Sequence, residues 1–154
     1  MEKLQFKTRI KASADHVYRT MLGKETYKKW TAEFNPTSDF EGSWDKGAEI
    51  LFIGTNKEGK KEGMVATIKE NDPGRFISIQ HLGIVDGDNK ITEGPQVEGW
   101  AGALENYSFA EENGETVLTV DVDANADYLT YFDETWPRAL NKLRELAESN
   151  TVLA

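Results

Sequence analysis

The order of the hydrophobic periodicities constrains this chain most. One long helical pattern closes the sequence, and most of what precedes it alternates with a period of two. In "YFDETWPRALNKLRELAESN", residues 131–150, and the tyrosine just before it, apolar side chains step by three or four: Tyr128, Phe132, Trp136, Leu140, Leu143 and Ala147. That spacing makes a single apolar stripe. Asp127 suits the N-cap, and Glu134 and Arg138 form an i,i+4 pair on the wet side. Pro137 has no N–H, so it should kink the helix or mark its first turn. The stripe needs something to lie against, and only the strands can supply it.

Leu4, Phe6, Thr8, Ile10 and Ala12 alternate with Gln5, Lys7, Arg9 and Lys11, a strand with one wet face. "SADHVYRTMLG" then predicts a short helix, with Ser13 as N-cap, Asp15 in the first turn and Gly23 as the stop. Val17, Tyr18, Met21 and Leu22 share its apolar face. "KETYKKW" predicts a second short helix with Tyr27 and Trp30 three apart. The middle is strand-rich. Phe40, Gly42 and Trp44 fall on one side of "TSDFEGSW"; "AEILFIG" is a short apolar run; Met64, Ala66 and Ile68 line up in "EGMVATIKE". "TNKEGKKEG" reads as a hairpin turn and "NDPG" as another. In "RFISIQHLG" the inward set is Ile77, Ile79 and His81, although Phe76 and Leu82 leave the opposite phase open. "IVDGDNKITEGPQVEGWAG" is rich in Gly and Asp and predicts a long loop, of the kind that is often functional. Two strands follow around the Asn-Gly turn of "EENGE", one presenting Glu105, Tyr107 and Phe109 together, the other Leu118, Val120 and Val122.

These elements predict an α+β fold: a curved antiparallel sheet of about six or seven strands wrapped around a long C-terminal helix, with two short helices after the first strand. No repeat or linker divides the chain, so residues 1–154 are read as a single domain. A bent sheet around one helix does not close completely, and the expected result is a cavity that opens where the short helices and the irregular loop meet.

The net charge of −9 offers no basic stripe for nucleic acid and disfavours docking on anionic lipid. The chain has no cysteine, which removes disulfide and thiol chemistry. "MEKLQFKTRI" lacks the apolar core of a signal peptide, and no run is long enough to span a bilayer, so a cytoplasmic location is expected.

The opening strand with "SADHVYRTMLGKETYKKW", the "FEGSWDKGAEILF" segment and the closing "TWPRALNKLRELAE" resemble the SRPBCC superfamily, the helix-grip fold of START lipid-transfer domains, pollen allergens and polyketide cyclases. Within it, the chain is most similar to the branch named after the activator of the heat-shock chaperone ATPase. The resemblance spans nearly the whole sequence and rests on aromatics and glycines, so it speaks for fold more than for activity. It implies a small hydrophobic ligand or a chaperone partner. The chaperone activators also carry an N-terminal domain that has no counterpart in these 154 residues.

The chemistry-bearing residues are few. His16 and His81 are the only histidines; with no cysteine they do not make a metal site, and no cofactor motif is present. "VDGDN" lacks the closing glutamate of a calcium loop. His16 lies in the first turn of a helix and is expected at the surface. His81 is either a hydrogen-bonded core histidine or an acid–base group. Glu105 is either a rim carboxylate or a carboxylate inside an apolar cavity, with Tyr107 and His81 as its candidate partners. Glu98, beside Trp100, is a weaker candidate of the same kind. Trp30 reads as core; Trp100 and Trp136 read as core or pocket lining.

The reading these residues favour is a binding module for a small apolar or amphipathic ligand. Its wall is Phe40, Trp44, Met64, Ile79, Trp100, Tyr107, Val120, Phe132 and Trp136, and its polar handle is His81 with Glu105. The alternatives are a cyclase- or hydratase-like enzyme using Glu105 and His81 as acid and base, and a protein that contacts a chaperone through its surface.

Overall fold

A computed structural model describes residues 1–149. Strand β1 (Glu2–Ile10) leads into helices α1 (Ala14–Leu22) and α2 (Lys24–Thr31). Seven strands follow: β2 (Asp39–Gly42), β3 (Glu49–Thr55), β4 (Lys61–Asp72), β5 (Phe76–Asp86), β6 (Asn89–Ile91), β7 (Leu104–Glu112) and β8 (Glu115–Ala124). A 3₁₀ turn (Ala126–Tyr128) precedes the long helix α3 (Leu129–Ser149). All pairings are antiparallel, in the order β1-β8-β7-β5-β4-β3-β2, and β6 pairs with β5 beyond the end of β7. The curved sheet and its single long helix match the expected architecture, with eight strands rather than six or seven.

The alternating segments form strands with the expected faces. On β8, Leu118, Val120 and Val122 are buried, and on β1 the inward series ends in the fully buried Ile10. On β5, Ile77, Ile79 and His81 are all buried, which decides the phase that Phe76 and Leu82 left open. The β7–β8 hairpin turns on Asn113 (φ 54°) and Gly114 (φ 80°), the backbone that an Asn-Gly pair adopts at low cost. The core joins these faces to Val17 and Met21 of α1, Trp30 of α2, and Trp136, Ala139, Leu140, Leu143 and Ala147 of α3.

Several local expectations need correction. The predicted loop from Ile84 to Gly102 is not wholly irregular. Its first residues extend β5, and a turn at Gly87–Asp88 returns the chain as β6. Asn125, not Asp127, is the cap: its Oδ1 accepts from the Asp127 N–H at 3.0 Å and starts the 3₁₀ turn. Tyr128 is therefore outside α3 and 53% exposed, so the apolar stripe begins later than its spacing implied. Pro137 lies inside α3 rather than in its first turn. His16 is buried, not at the surface. Its Nε2 lies 3.0 Å from the carbonyl of Ala147, in the last turn of α3, where a histidine can satisfy an orphan carbonyl. Ser13 caps α1 as expected, accepting from the His16 N–H at 3.2 Å.

The sheet bends by two devices. Register shifts fall between Val65 and Ala66 and between Ile68 and Glu70 on β4, against β5. Gly63 has φ +153°, and a Cβ there would sit 1.9 Å from the Phe52 carbonyl oxygen of β3. Gly59, in the β3–β4 turn, also has positive φ (+80°) but open space around it. Gly63→Ala should therefore lower stability by about 2 kcal/mol or more, because β3 must move. Gly59→Ala should cost only the left-handed backbone, about 1 kcal/mol. Urea denaturation of both variants checks this, and equal losses would contradict the close approach.

Candidate functional site

Strand register explains the central group of side chains. Ile79 of β5 pairs with Glu105 of β7, and Ile77 pairs with Tyr107. Residues two apart share a face, so Tyr107 stands beside Glu105 on β7. His81, two residues beyond Ile79, is the diagonal neighbour of Glu105 across the ladder, within reach of a long side chain. Its own backbone is tied to this position: its N–H donates to the Ala103 carbonyl at 2.8 Å, and its carbonyl accepts from Gly102 at 2.7 Å.

The side chains meet as the register allows. His81 Nε2 lies 3.1 Å from Glu105 Oε1, and the Tyr107 hydroxyl donates to Glu105 Oε2. His81 and Tyr107 are buried, while the Glu105 side chain keeps 17% of its exposure. Among the described residues no lysine or arginine pairs with Glu105. An ionised carboxylate only accepts, so Nε2 of His81 carries the proton in this contact. The other ring nitrogen, Nδ1, is buried with no partner among the described residues.

The two phenols beside this carboxylate are held protonated. Burial, then the negative charge of Glu105, pushes Tyr107 well above its ordinary range, and the same two causes raise Tyr27 of α2. The side chains that contact the carboxylate are thus His81 and the protonated Tyr107, with no lysine or arginine among the described residues.

An aromatic wall flanks the polar group. Phe52 of β3 stands between His81, with ring centroids 6.0 Å apart, and Trp44, at 5.7 Å. Tyr27 touches Phe40 edge-on at 5.1 Å and stacks on Phe52 at 6.1 Å. The indole N–H of Trp44 is buried with no acceptor among the described residues. Most buried polar atoms are paired, so two orphans on the rings either side of Phe52 call for an explanation. Towards α3, Trp136 contacts Phe34 at 5.0 Å, Trp30 at 5.9 Å, Phe6 at 6.1 Å and Tyr107 at 6.3 Å. Lys24 and Asp39 pin α2 to β2 beside the wall. Their ion pair is 2.9 Å long, and the ammonium lies 4.6 Å from the Phe40 ring centroid. Burial alone would raise the Asp39 carboxyl, but Lys24, the Phe40 N–H and Lys28 together hold it below the usual carboxylate range.

The sequence-predicted residues fall into three groups. His81, Glu105 and Tyr107 come into mutual contact, Phe40 and Trp44 join the aromatic wall, and Trp136 contacts Tyr107. Ile79 and Val120 are fully buried in the core. Met64 pairs with Phe52 across β3 and β4 and is half-buried, and Phe132 packs with Tyr128 and Tyr131 at the start of α3. Trp100 lies between β6 and β7, half-buried, with its indole donating to the Gln96 carbonyl at 3.2 Å, and Glu98 is exposed. Tyr27 and Phe52 complete the wall without having been singled out. The i,i+3 spacing of Tyr27 and Trp30 was the available signal for the first; for Phe52, an uninterrupted apolar run gives no phase.

An open groove of about 340 Å³ lies elsewhere, between residues Gln5–Thr8 of β1 and Pro137, Leu140 and Asn141 of α3. None of the predicted lining residues borders it. No group of three or more potential metal ligands comes together among the described residues, and no helix there is long and apolar enough to cross a membrane.

Solved structures share this fold at low identity. A Nitrosomonas europaea protein superposes with a TM-score of 0.73 and 18% identity, covering 96% of this chain and 95% of its own. The Aha1 dimer of Colwellia psychrerythraea, a solution structure, gives 0.72 and 19%, covering 98% and 99%. CalU16 of Micromonospora echinospora gives 0.65 and 14%, covering 98% and 79%. No curated protein matches the sequence. The description "Activator of Hsp90 ATPase homolog 1-like protein" matches residues 11–148, nearly the full length of a chain whose fold is that of the SRPBCC superfamily, and the chain belongs to that family.

Proposed function

We propose that this domain is a binding module for a small apolar or amphipathic ligand, received between the curved sheet and α3, with Glu105 and His81 as its polar handle. One observation carries the reading. A carboxylate held by His81 and Tyr107 is set among aromatic rings, and two polar atoms on rings that flank Phe52, Trp44 Nε1 and His81 Nδ1, are buried and unpaired among the described residues. Core packing alone gains nothing from that arrangement, because each buried polar atom without a partner costs about 1–3 kcal/mol. A ligand that supplies the missing partners recovers that cost on binding. It enters by parting aromatic contacts, each worth about 0.5–1.5 kcal/mol beyond the area buried. A cytoplasmic setting fits a chain without cysteine.

Family membership favours a second reading, contact with a heat-shock chaperone through the surface. That reading gives the interior polar group no task. Catalysis with Glu105 and His81 as acid and base would use the same geometry, and differs from binding by turnover alone.

Native mass spectrometry of freshly purified protein should show a co-purified small molecule that is lost on denaturation. Absence of any such mass, together with failure of the neutral dye Nile red to bind, would remove the binding reading. Trp44→Phe keeps a ring in the wall and deletes the unpaired N–H. It should weaken dye or ligand binding about tenfold, or about 1.4 kcal/mol, while the free protein loses no hydrogen bond. Unchanged affinity in a calorimetric titration would contradict a part for the Trp44 N–H in binding. In a pull-down with the heat-shock chaperone, an interaction protein would tolerate both Glu105→Gln and Trp136→Phe.

A further inference from the structure

Strand β1 ends the sheet. It pairs with β8 on one side, and among the described residues no strand lies on the other. In an antiparallel edge strand, every second residue turns its N–H and C=O away from the neighbour. No backbone group of Gln5–Thr8 has a backbone partner outside β8 among the described residues. The open groove of about 340 Å³ touches all four of these consecutive residues. Successive side chains point to opposite faces, so the groove borders the strand's free edge rather than one face of the sheet. Pro137 and Leu140 of α3 form its far wall. We propose that this edge receives an acidic, extended peptide segment of a partner protein, which adds as a further strand beside β1.

Charge selects that occupant. The wet face of β1 carries Lys3, Gln5, Lys7 and Arg9 in alternation, on a chain whose net charge is −9. On the inner side, Lys3 pairs with Asp123 of β8 at 3.0 Å and Gln5 donates to Asp121 at 2.8 Å. Lys7 lies opposite Thr119 and meets no carboxylate among the described residues. A strand added outside would set its own wet face against the same row, where acids at alternate positions repeat the pattern of β8. Its apolar side chains would then enter the groove beside Phe6 and Leu140. A second copy of β1 fits badly. Antiparallel pairing about Phe6 sets Lys3 against Arg9 and Gln5 against Lys7, and like charges directly opposite destabilise a pair. The chain's wider acidity is screened beyond about 8 Å at physiological salt, whereas Lys7 meets the guest in contact.

The test uses a fluorescein-labelled peptide, Thr-Val-Asp-Val-Asp-Val-Glu, and fluorescence anisotropy with the full-length protein. It should bind about tenfold or more tightly than the isosteric peptide with Asn and Gln in place of the acids. Lys7→Gln, at an exposed position, should narrow that ratio to about threefold. N-methylation of alternate peptide amides should abolish binding in one phase and spare it in the other, because only one edge of the guest pairs. Backbone signals of Gln5–Thr8 and Asn141 should shift in a ¹H–¹⁵N spectrum. No binding, equal affinity for the acidic and neutral peptides, or equal effects of the two methylation phases would overturn the proposal; the cations would then only guard the edge against chance pairing. Shifts confined to other residues would overturn it too. The site is independent of the interior ligand, so Trp44→Phe should leave the peptide's affinity unchanged; a loss as large as that of Lys7→Gln would place the peptide elsewhere and overturn the edge assignment.

Discussion

One helix has to cover the concave face of an eight-stranded sheet, and the fold follows from how that mismatch is resolved. Small side chains along the C-terminal half of α3, Ala139 and Ala147 among them, let the helix approach closely. At the other half the approach is filled by rings. Trp136 meets Phe6 from β1, Trp30 and Phe34 from the α2 region and Tyr107 from β7, so one side chain ties the helix to both ends of the chain's apolar surface. The bend that brings β3 and β4 towards this cluster depends on register shifts and on a glycine where β3 presses against β4. Rings can slide and part more readily than interlocked aliphatic side chains, which makes this half of the interior the natural place for a guest.

The polar trio is set at the margin of that aromatic half. Burying a carboxylate is costly unless donors satisfy it, and here the donors come from two adjacent strands whose register is fixed by the ladder. The result is a carboxylate held by His81 and Tyr107, with the Tyr107 and Tyr27 phenols kept protonated by burial and by its charge. The placement of this carboxylate inside the fold is therefore a consequence of strand pairing rather than of the chain's overall acidity.

Much of this was legible from residue order. Alternation along β7 placed Glu105 with Tyr107, alternation along β5 offered His81 as inward but left the phase to be decided by burial, and the C-terminal periodicity placed Trp136 against the sheet. Periodicity assigns a face but not a neighbour, so the contact between His81 and Glu105 needed the register. Phe52 was missed because β3 is apolar on both faces, and β6 because three residues between glycine-rich turns carry no readable period. His16 misled for a different reason: a polar residue in a first helical turn ordinarily faces water, and only the docking of α1 against the end of α3 makes it a cap. Trp100 was offered as core or wall by residue type, and its indole donates to the Gln96 carbonyl of its own segment.

The indole N–H signals provide the most direct test of whether the interior receives a guest. Trp30 and Trp100 already donate to the carbonyls of Met21 and Gln96, whereas the Trp44 N–H has no acceptor. In a ¹H–¹⁵N spectrum recorded during titration with 1-octanol, the Trp44 signal should move downfield as it gains a hydrogen bond, with the Trp30 signal nearly still. A Trp44 signal that stays fixed while backbone signals of Gln5–Thr8 and Asn141 shift would put the ligand in the outer groove and contradict the account.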